Sequence, residues 1–270
     1  MLEIESLSVN DRLDQQRLEA EMIYGSDDDM EATNDYSSEF NDVENFTITK
    51  ITAGVRDPNR VNVFLDGHFA FSLDIAQIVE LNVKVKQCVT PERLKELREA
   101  SEFGKLYQRT LEWLLTRPHS IRETSTYLKR RKFKRKQTNR QREREQKPLL
   151  PEIQDKTINL VMERLLAKKY LDDLKFAKFF VENRYVRKGI SQKRLKMELR
   201  QKGVDEEYIK TALDEVDRPE DEELLKVIKK KRKKYSDDFK LIGYLTRQGF
   251  DLNRAKDVVA NYSEETSDEL

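Results

Sequence analysis

The amino-acid sequence predicts a mainly α-helical protein of three tandem three-helix repeats, preceded by a small antiparallel β segment and a disordered acidic arm. Three observations predict it. Glycine and proline are scarce, 8 and 6 in 270 residues, and the abundant Lys, Arg, Glu, Leu and Gln favour long helices over sheet. The spacing of Leu195, Leu199 and Gly203 recurs 46 residues later at Leu241, Leu245 and Gly249. A hairpin signal, Asp66-Gly67, stands between two alternating apolar runs.

Residues 1–45 hold fourteen acids, among them Asp27-Asp28-Asp29, against two arginines. Such a segment buries too little apolar surface to offset its ordering entropy, so disorder is expected, with transient helix over 10–23. The β segment spans 46–89: Phe46–Ile51, Val61–Leu65 and Phe69–Leu73 read as strands, and Val83-Lys84-Val85 as a fourth. Thr90-Pro91 then opens a helix, with an N-cap candidate before a proline at the first helical position. Phe103, Leu106, Tyr107, Leu111, Leu114 and Leu115 share its apolar face, and Pro118 stops it near Arg117.

The helical region reads as three copies of helix, short helix, turn, helix. The first takes 101–117, 120–131 and 151–169, within a region 90–169 that includes the linker helix. The second takes 172–188, 191–202 and 205–216 within 170–218, and the third 221–235, 237–248 and 251–262 within 219–263, leaving a tail at 264–270. Ser120 and Leu128 align with Ser191 and Leu199 at an offset of 71, with Thr124 where leucine is expected. A basic insert over 132–150 accounts for most of the extra length. None of these copies buries its apolar face alone, so they stack.

Charge is the second theme. With 38% charged residues and a mean hydropathy of −0.83, one large core is excluded. The net charge of +1 hides an asymmetry: the arm is −12, leaving 37 acids against 50 bases, about +13, in 46–270. Around Gly189, Arg184, Arg187, Lys188, Lys193, Arg194, Lys196, Arg200 and Lys202 are expected toward solvent, facing a polyanion or an acidic partner. Lys129, Arg130, Arg131, Lys132, Lys134, Arg135 and Lys136 head a run with eleven bases and two acids in 129–147. That run reads either as a phosphate-attracting surface or as a solvated, flexible loop. Lys229, Lys230, Lys231 and Arg232 belong to a second run, seven bases in the nine residues from Lys226 to Lys234, either a contact surface or a solvated face.

Helical spacing assigns Phe176, Phe179, Phe180 and Tyr185 to core packing rather than base stacking, and Trp113, Tyr127 and Tyr170 likewise. His68 and His119 are expected at the surface or its boundary. One cysteine, Cys88, makes no internal disulfide, and two isolated histidines make no metal site, so a reducing compartment and no cofactor are expected. No nucleophile with a base, glycine-rich phosphate loop or apolar carboxylate pair emerges, and Asp172-Asp173 reads as an N-cap with first-turn charge. The N-terminus lacks a basic n-region and an apolar h-region, and no apolar window approaches eighteen residues. The expectation is a soluble, cytoplasmic binding protein, monomeric and not an enzyme.

Leu171-Asp172-Asp173, Phe176-Ala177, Phe180-Val181, Arg184, Lys188-Gly189, Arg194-Leu195, Glu198-Leu199 and Lys202-Gly203 together resemble the central signature of RecX, the bacterial regulator of the RecA recombinase. The resemblance runs from about Phe46 to Tyr262 and includes Ile48–Ile51 and Asp66–Ser72. The acidic arm, the basic insert and Thr124 lie outside the pattern. The resemblance implies a curved, elongated array of three three-helix repeats that binds the groove of RecA filaments on single-stranded DNA. It implies inhibition of filament growth, ATPase, strand exchange and co-protease activity, and hence a place in DNA repair, homologous recombination and the SOS response. Arg184, Lys188, Arg194 and Lys202 then meet acidic RecA surface or DNA phosphate. The alternatives are a basic helical-repeat protein acting directly on single- or double-stranded DNA or on RNA, and a helical adaptor with no nucleic-acid role.

Overall fold

The computed structural model describes residues 45–54, 57 and 59–268. Apart from Asn45, the arm expected to be disordered lies outside them, as does the helix expected over 10–23. The described residues form four strands and ten helices in two compact units, one of 46–117 with 124–170, the other of 118–123 with 171–268.

In the first unit β1 (Phe46–Ala53), β2 (Arg60–Leu65), β3 (His68–Asp74) and β4 (Cys88–Val89) pair antiparallel in the order β3-β2-β1-β4. Alternation puts Phe46, Ile48, Val63, Leu65, Phe71 and Leu73 on one buried face. Asp66 and Gly67 turn the hairpin with φ of 49° and 89°, and the Asp66 carboxylate accepts from the Thr47 amide at 3.1 Å. Helix α1 (Ile75–Glu80) follows on a capping box: Gln77 N–H donates to Asp74 Oδ1 at 2.6 Å, and Asp74 N–H to Gln77 Oε1 at 3.0 Å.

The fourth strand is not at Val83-Lys84-Val85. Val83 is buried in the sheet's core, but Asn82 and Lys86 take positive φ (49° and 69°) and turn the chain away from strand geometry. Pairing begins five residues later, where Val89 faces Phe46 and Cys88 faces Thr47.

Helix α2 (Pro91–Leu115) is one continuous element that covers the sheet with Leu94 and Leu97. Thr90 caps it, accepting from Arg93 N–H at 3.3 Å. Ser101 Oγ donates to Ser72 O at 2.7 Å and fixes helix to sheet. Leu106 and Leu114 are buried, but Leu115 is exposed, because a helix turns about 100° per residue and adjacent leucines diverge. Trp113 and Tyr127 stack in parallel with centroids 4.4 Å apart. Tyr170, expected in the core, is exposed.

The largest departure concerns the basic insert. Helix α3 (Ile121–Arg144) runs through most of it instead of ending near 131, since no Gly or Pro interrupts the chain before Pro148 and Arg, Lys and Gln are good helix formers. The segment after it is tied back along the helix. Asn139 exchanges hydrogen bonds with both backbone groups of Leu150 (2.8 and 2.9 Å), Arg142 donates to Pro148 O at 2.6 Å, and Arg135 donates to Pro151 O at 2.8 Å. A flexible loop is therefore not what this sequence forms. Helix α4 (Asp155–Ala167) then packs on α2 and buries Ile158, Val161 and Leu165.

The second unit holds α5 (Asp173–Asn183), α6 (Gln192–Gln201), α7 (Glu206–Glu215), α8 (Glu220–Lys231), α9 (Asp238–Arg247) and α10 (Leu252–Asp268). Phe176, Ala177, Val181, Leu195, Leu199 and Ile209 make one core, with Phe180 and Tyr185 packed against it. Leu224, Ile228, Leu241, Leu245, Phe250 and Val259 make a second. Phe179 is half-buried, and His68 is exposed. His119 is instead buried, 5% exposed, with Nδ1 3.4 Å from Glu123 Oε2, because it enters the structure just before the cap of α3.

The sequence periodicity becomes a repeated joint. Ser120 accepts from Glu123 N–H (3.0 Å) at the start of α3 and donates to Lys202 O (2.8 Å) at the end of α6. Ser191, 71 residues on, accepts from Arg194 N–H (3.2 Å) at the start of α6 and donates to Gln248 O (2.7 Å) at the end of α9. The side chains one turn later pair too: Lys202 with Glu123 at 2.6 Å, and Arg194 with Gln248 Oε1 at 2.6 Å. Gly203 and Gly249 permit the approach. Both have positive φ (79° and 95°), and a Cβ would lie 2.7 Å from the Arg122 side chain at Gly203 and 2.7 Å from Ser191 Oγ at Gly249.

Candidate functional site

The second three-helix repeat carries the cationic residues singled out by the sequence, and α5, α6 and the turn at Gly189 position them. Arg184 caps the end of α5, with its guanidinium carbon 4.0 Å from the Tyr185 ring centroid and Nε 2.6 Å from Glu198 Oε2. Arg194 reaches the other oxygen of Glu198 at 3.2 Å. Lys196 and Arg200 both pair with Glu206, the latter at 2.8 Å. Hydrogen bonds from Arg200 and Lys196 hold the Glu206 carboxyl down to about 2. Lys202 pairs with Glu123. Five of the eight cations are thus matched to carboxylates, while Arg187, Lys188 and Lys193 are exposed and have no ion pair among the described residues.

Counting bases along the chain missed these acids. The i,i+4 spacing of Arg194 and Glu198 was a readable signal for one pair. Those to Glu206 and Glu123 depend on how helices meet, which no local spacing states.

The run along α3 divides similarly. Lys132 pairs with Asp155 at 2.7 Å, and Arg135 is spent on Pro151 and on Glu102 at 3.6 Å. Arg131 is half-buried, whereas Lys129, Arg130, Lys134 and Lys136 are exposed.

At the end of α8 the balance changes. Arg232 is held by Asp238, but Lys229, Lys230 and Lys231 have no carboxylate partner among the described residues, and the Lys231 ammonium lies 5.7 Å from the Tyr244 ring centroid. The two C-terminal repeats meet here in a cleft of about 170 Å³, lined by Lys188, Arg194, Lys230 and Lys231, by Tyr185 and Tyr244, and by the apolar Ile190 and Val227. Among the described residues no acidic side chain lines it. Beneath it, buried Glu223 accepts from the Ile190 amide (2.9 Å), from Arg218 (2.8 Å) and from Lys226 (2.7 Å). Burial pushes the Glu223 carboxyl up, but the Arg218 and Lys226 hydrogen bonds outweigh it, and the net shift is downward.

Among the described residues no group of three or more His, Cys, Asp and Glu side chains is placed to hold a metal, and no helix is long and apolar enough to cross a membrane. What the geometry offers is ammonium and guanidinium groups carried on the ends of helices and the turn between them.

Two family models match the chain. "RecX, second three-helix domain" covers residues 172–213, and "Regulatory protein RecX N-terminal domain" covers 46–90. Regulatory protein RecX of Bacillus licheniformis is 28% identical over 226 residues, 81% of this chain and 77% of that protein. The protein of the same name from Clostridium botulinum (strain Alaska E43 / Type E3) is 29% identical over 221 residues, 78% of this chain and 94% of the relative. That of Bacillus subtilis is 31% identical over 166 residues, 62% of this chain and 55% of the relative. A crystal structure of regulatory protein RecX shares the fold, with a TM-score of 0.60 at 20% identity over 80% of this chain and 99% of the other. With the sheet matched by one family model, the second helical repeat by the other, and relatives of one name aligned across both, the chain is similar to RecX proteins along most of its length.

Proposed function

We propose that this protein regulates RecA by binding RecA nucleoprotein filaments on single-stranded DNA and inhibiting filament growth, which lowers ATP hydrolysis and strand exchange in DNA repair and recombination. One observation carries the reading: the repeat matched as the second three-helix domain of RecX bears Arg187, Lys188 and Lys193 exposed and unneutralised. Fixed cations of this kind suit an acidic protein groove or a phosphate backbone, and they act by occupancy, with no bond made or broken. The same reading makes the protein a cytoplasmic monomer.

The test adds the purified full chain to preformed RecA filaments on single-stranded DNA and follows ATP hydrolysis. Hydrolysis is expected to fall with added protein, and R187E/K188E/K193E is expected to weaken that inhibition at least tenfold while keeping the native circular dichroism. An unchanged hydrolysis rate with the unaltered protein rules the proposal out.

A second reading, direct binding to nucleic acid, is favoured by the lysines at the end of α8 that lack carboxylate partners. Salt separates the two, since binding through several phosphates alone loses roughly a thousandfold in affinity between low and moderate salt.

A further inference from the structure

We infer that the cleft between the second and third helical repeats is a nucleotide subsite for single-stranded nucleic acid, with a phosphate held by Lys230 and Lys231 and a base set against Tyr244 and the apolar wall of Ile190 and Val227. This deepens the direct-binding reading and does not depend on RecA.

The origin of the site is visible in the repeat itself. Glu198 on α6 and Tyr244 on α9 are equivalent positions, 46 residues apart. In the second repeat that position is a carboxylate and consumes two arginines, Arg184 and Arg194. In the third it is an aromatic ring, stacked on Tyr235 at 5.1 Å, and the neighbouring lysines keep their charge. The exchange of an acid for a ring converts a closed ion-pair cluster into an open cationic and aromatic surface.

Three features favour a strand over an acidic peptide. The available charges are ammonium groups, which hold phosphates as point charges, while Arg194, the guanidinium fork suited to a carboxylate, is engaged by Gln248 and Glu198. Beside them stand an aromatic ring and an apolar wall, which offer a base a face that an Asp or Glu side chain does not use. Beyond the cleft the charge continues through exposed Lys229, Lys233 and Lys234, none with a carboxylate partner among the described residues, as a track for a repeating backbone and not a seat for one anion.

The experiment uses the full chain without RecA and a fluorescent oligothymidylate of about 16 nucleotides, followed by anisotropy across a salt series. K230Q/K231Q is expected to lower affinity tenfold or more and to reduce the slope of log affinity on log salt by about 0.7, the value for one single-strand phosphate contact. Tyr244→Leu, which keeps apolar bulk and removes the ring, is expected to lower affinity about fivefold or more at every salt concentration without changing that slope. Thermal melting of each variant confirms that it is folded. The control K134Q/K136Q removes equal charge from α3 and is expected to leave the Tyr244 effect intact. The inference is overturned if the control lowers affinity as much as K230Q/K231Q. It is also overturned if Tyr244→Leu binds the strand normally, if polyglutamate displaces the strand at equal charge concentration, or if only free thymidine monophosphate binds. RecA-dependent ATP hydrolysis measured on the same variants tells a failure of this subsite from a failure of RecA regulation.

Discussion

Glu223 ties three elements together at one buried carboxylate, through the Ile190 amide, Arg218 and Lys226, and Arg218 also donates to Val181 O. Removing one member of such a pair leaves a charge without its partner. Glu223→Ala is therefore expected to cost about 3–5 kcal/mol, measured by urea unfolding at pH 7. Because its folded pKa is lowered, the stability Glu223 contributes is present above the ordinary glutamate range and is lost as pH falls through the folded value. Asp173 has the opposite sign. Burial, together with the nearby charges of Asp205, Asp172 and Glu123, raises its pKa even though its carboxylate accepts from Ile121 N–H at 2.8 Å. Its contribution is complete below the unfolded value and is lost as pH rises through the folded one. Asp173→Asn keeps the acceptor and removes the charge, so it is expected to raise the melting temperature at pH 7, with the gain vanishing below about pH 4. A residue list taken from charge alone does not see such differences. Reversing Arg184 and Arg194, both set on Glu198, would crowd three carboxylates together and report on folding; Arg187, Lys188 and Lys193 report on binding.

At the scale of elements, the helix starts and the leucine repeat were largely written in the sequence. Thr90-Pro91, Asp172 and Ser191 each begin a helix where their chemistry says, and Leu195 and Leu199 are buried as are Leu241 and Leu245. What was not legible was tertiary. The extent of α3 depends on Asn139, Arg135 and Arg142 finding backbone carbonyls and an amide eleven or so residues away, and Val83 gives its side chain to the core while its backbone turns. The joint between the second and third repeats makes a direct prediction. Gly249→Ala forces a Cβ onto Ser191 Oγ at positive φ and is expected to cost about 1–3 kcal/mol. Ser191→Ala, which loses both the cap and the bond to Gln248 O, is expected to cost about 1–2 kcal/mol. Denaturant unfolding checks both, and a lowered m-value marks uncoupling of the third repeat.

Across the whole molecule, the sequence balance of −12 in the first 45 residues and about +13 in the remainder has a measurable consequence. Deleting residues 1–45 removes a net charge of −12, so on an electrostatic competition for the exposed lysines affinity for single-stranded DNA at low salt is expected to rise, and the difference to shrink as salt screens it. Unchanged or weaker binding after the deletion would end the competition idea. The cationic character of the body was legible from composition. Which cations stay available was not, because Glu123, Glu198 and Glu206 quench theirs through contacts that only the folded chain makes. The serine joint also has an end within the chain. Ser120 and Ser191 accept a hydrogen bond from their own helix and donate one to the next repeat, but the matching position in the third repeat is Asp237, exposed and accepting from Lys240 N–H at 3.1 Å. A carboxylate has no hydrogen to donate and would repel an incoming carbonyl, so Asp237 keeps the serine's cap but cannot repeat its link to a neighbouring helix end, and the series of joints closes at the third repeat.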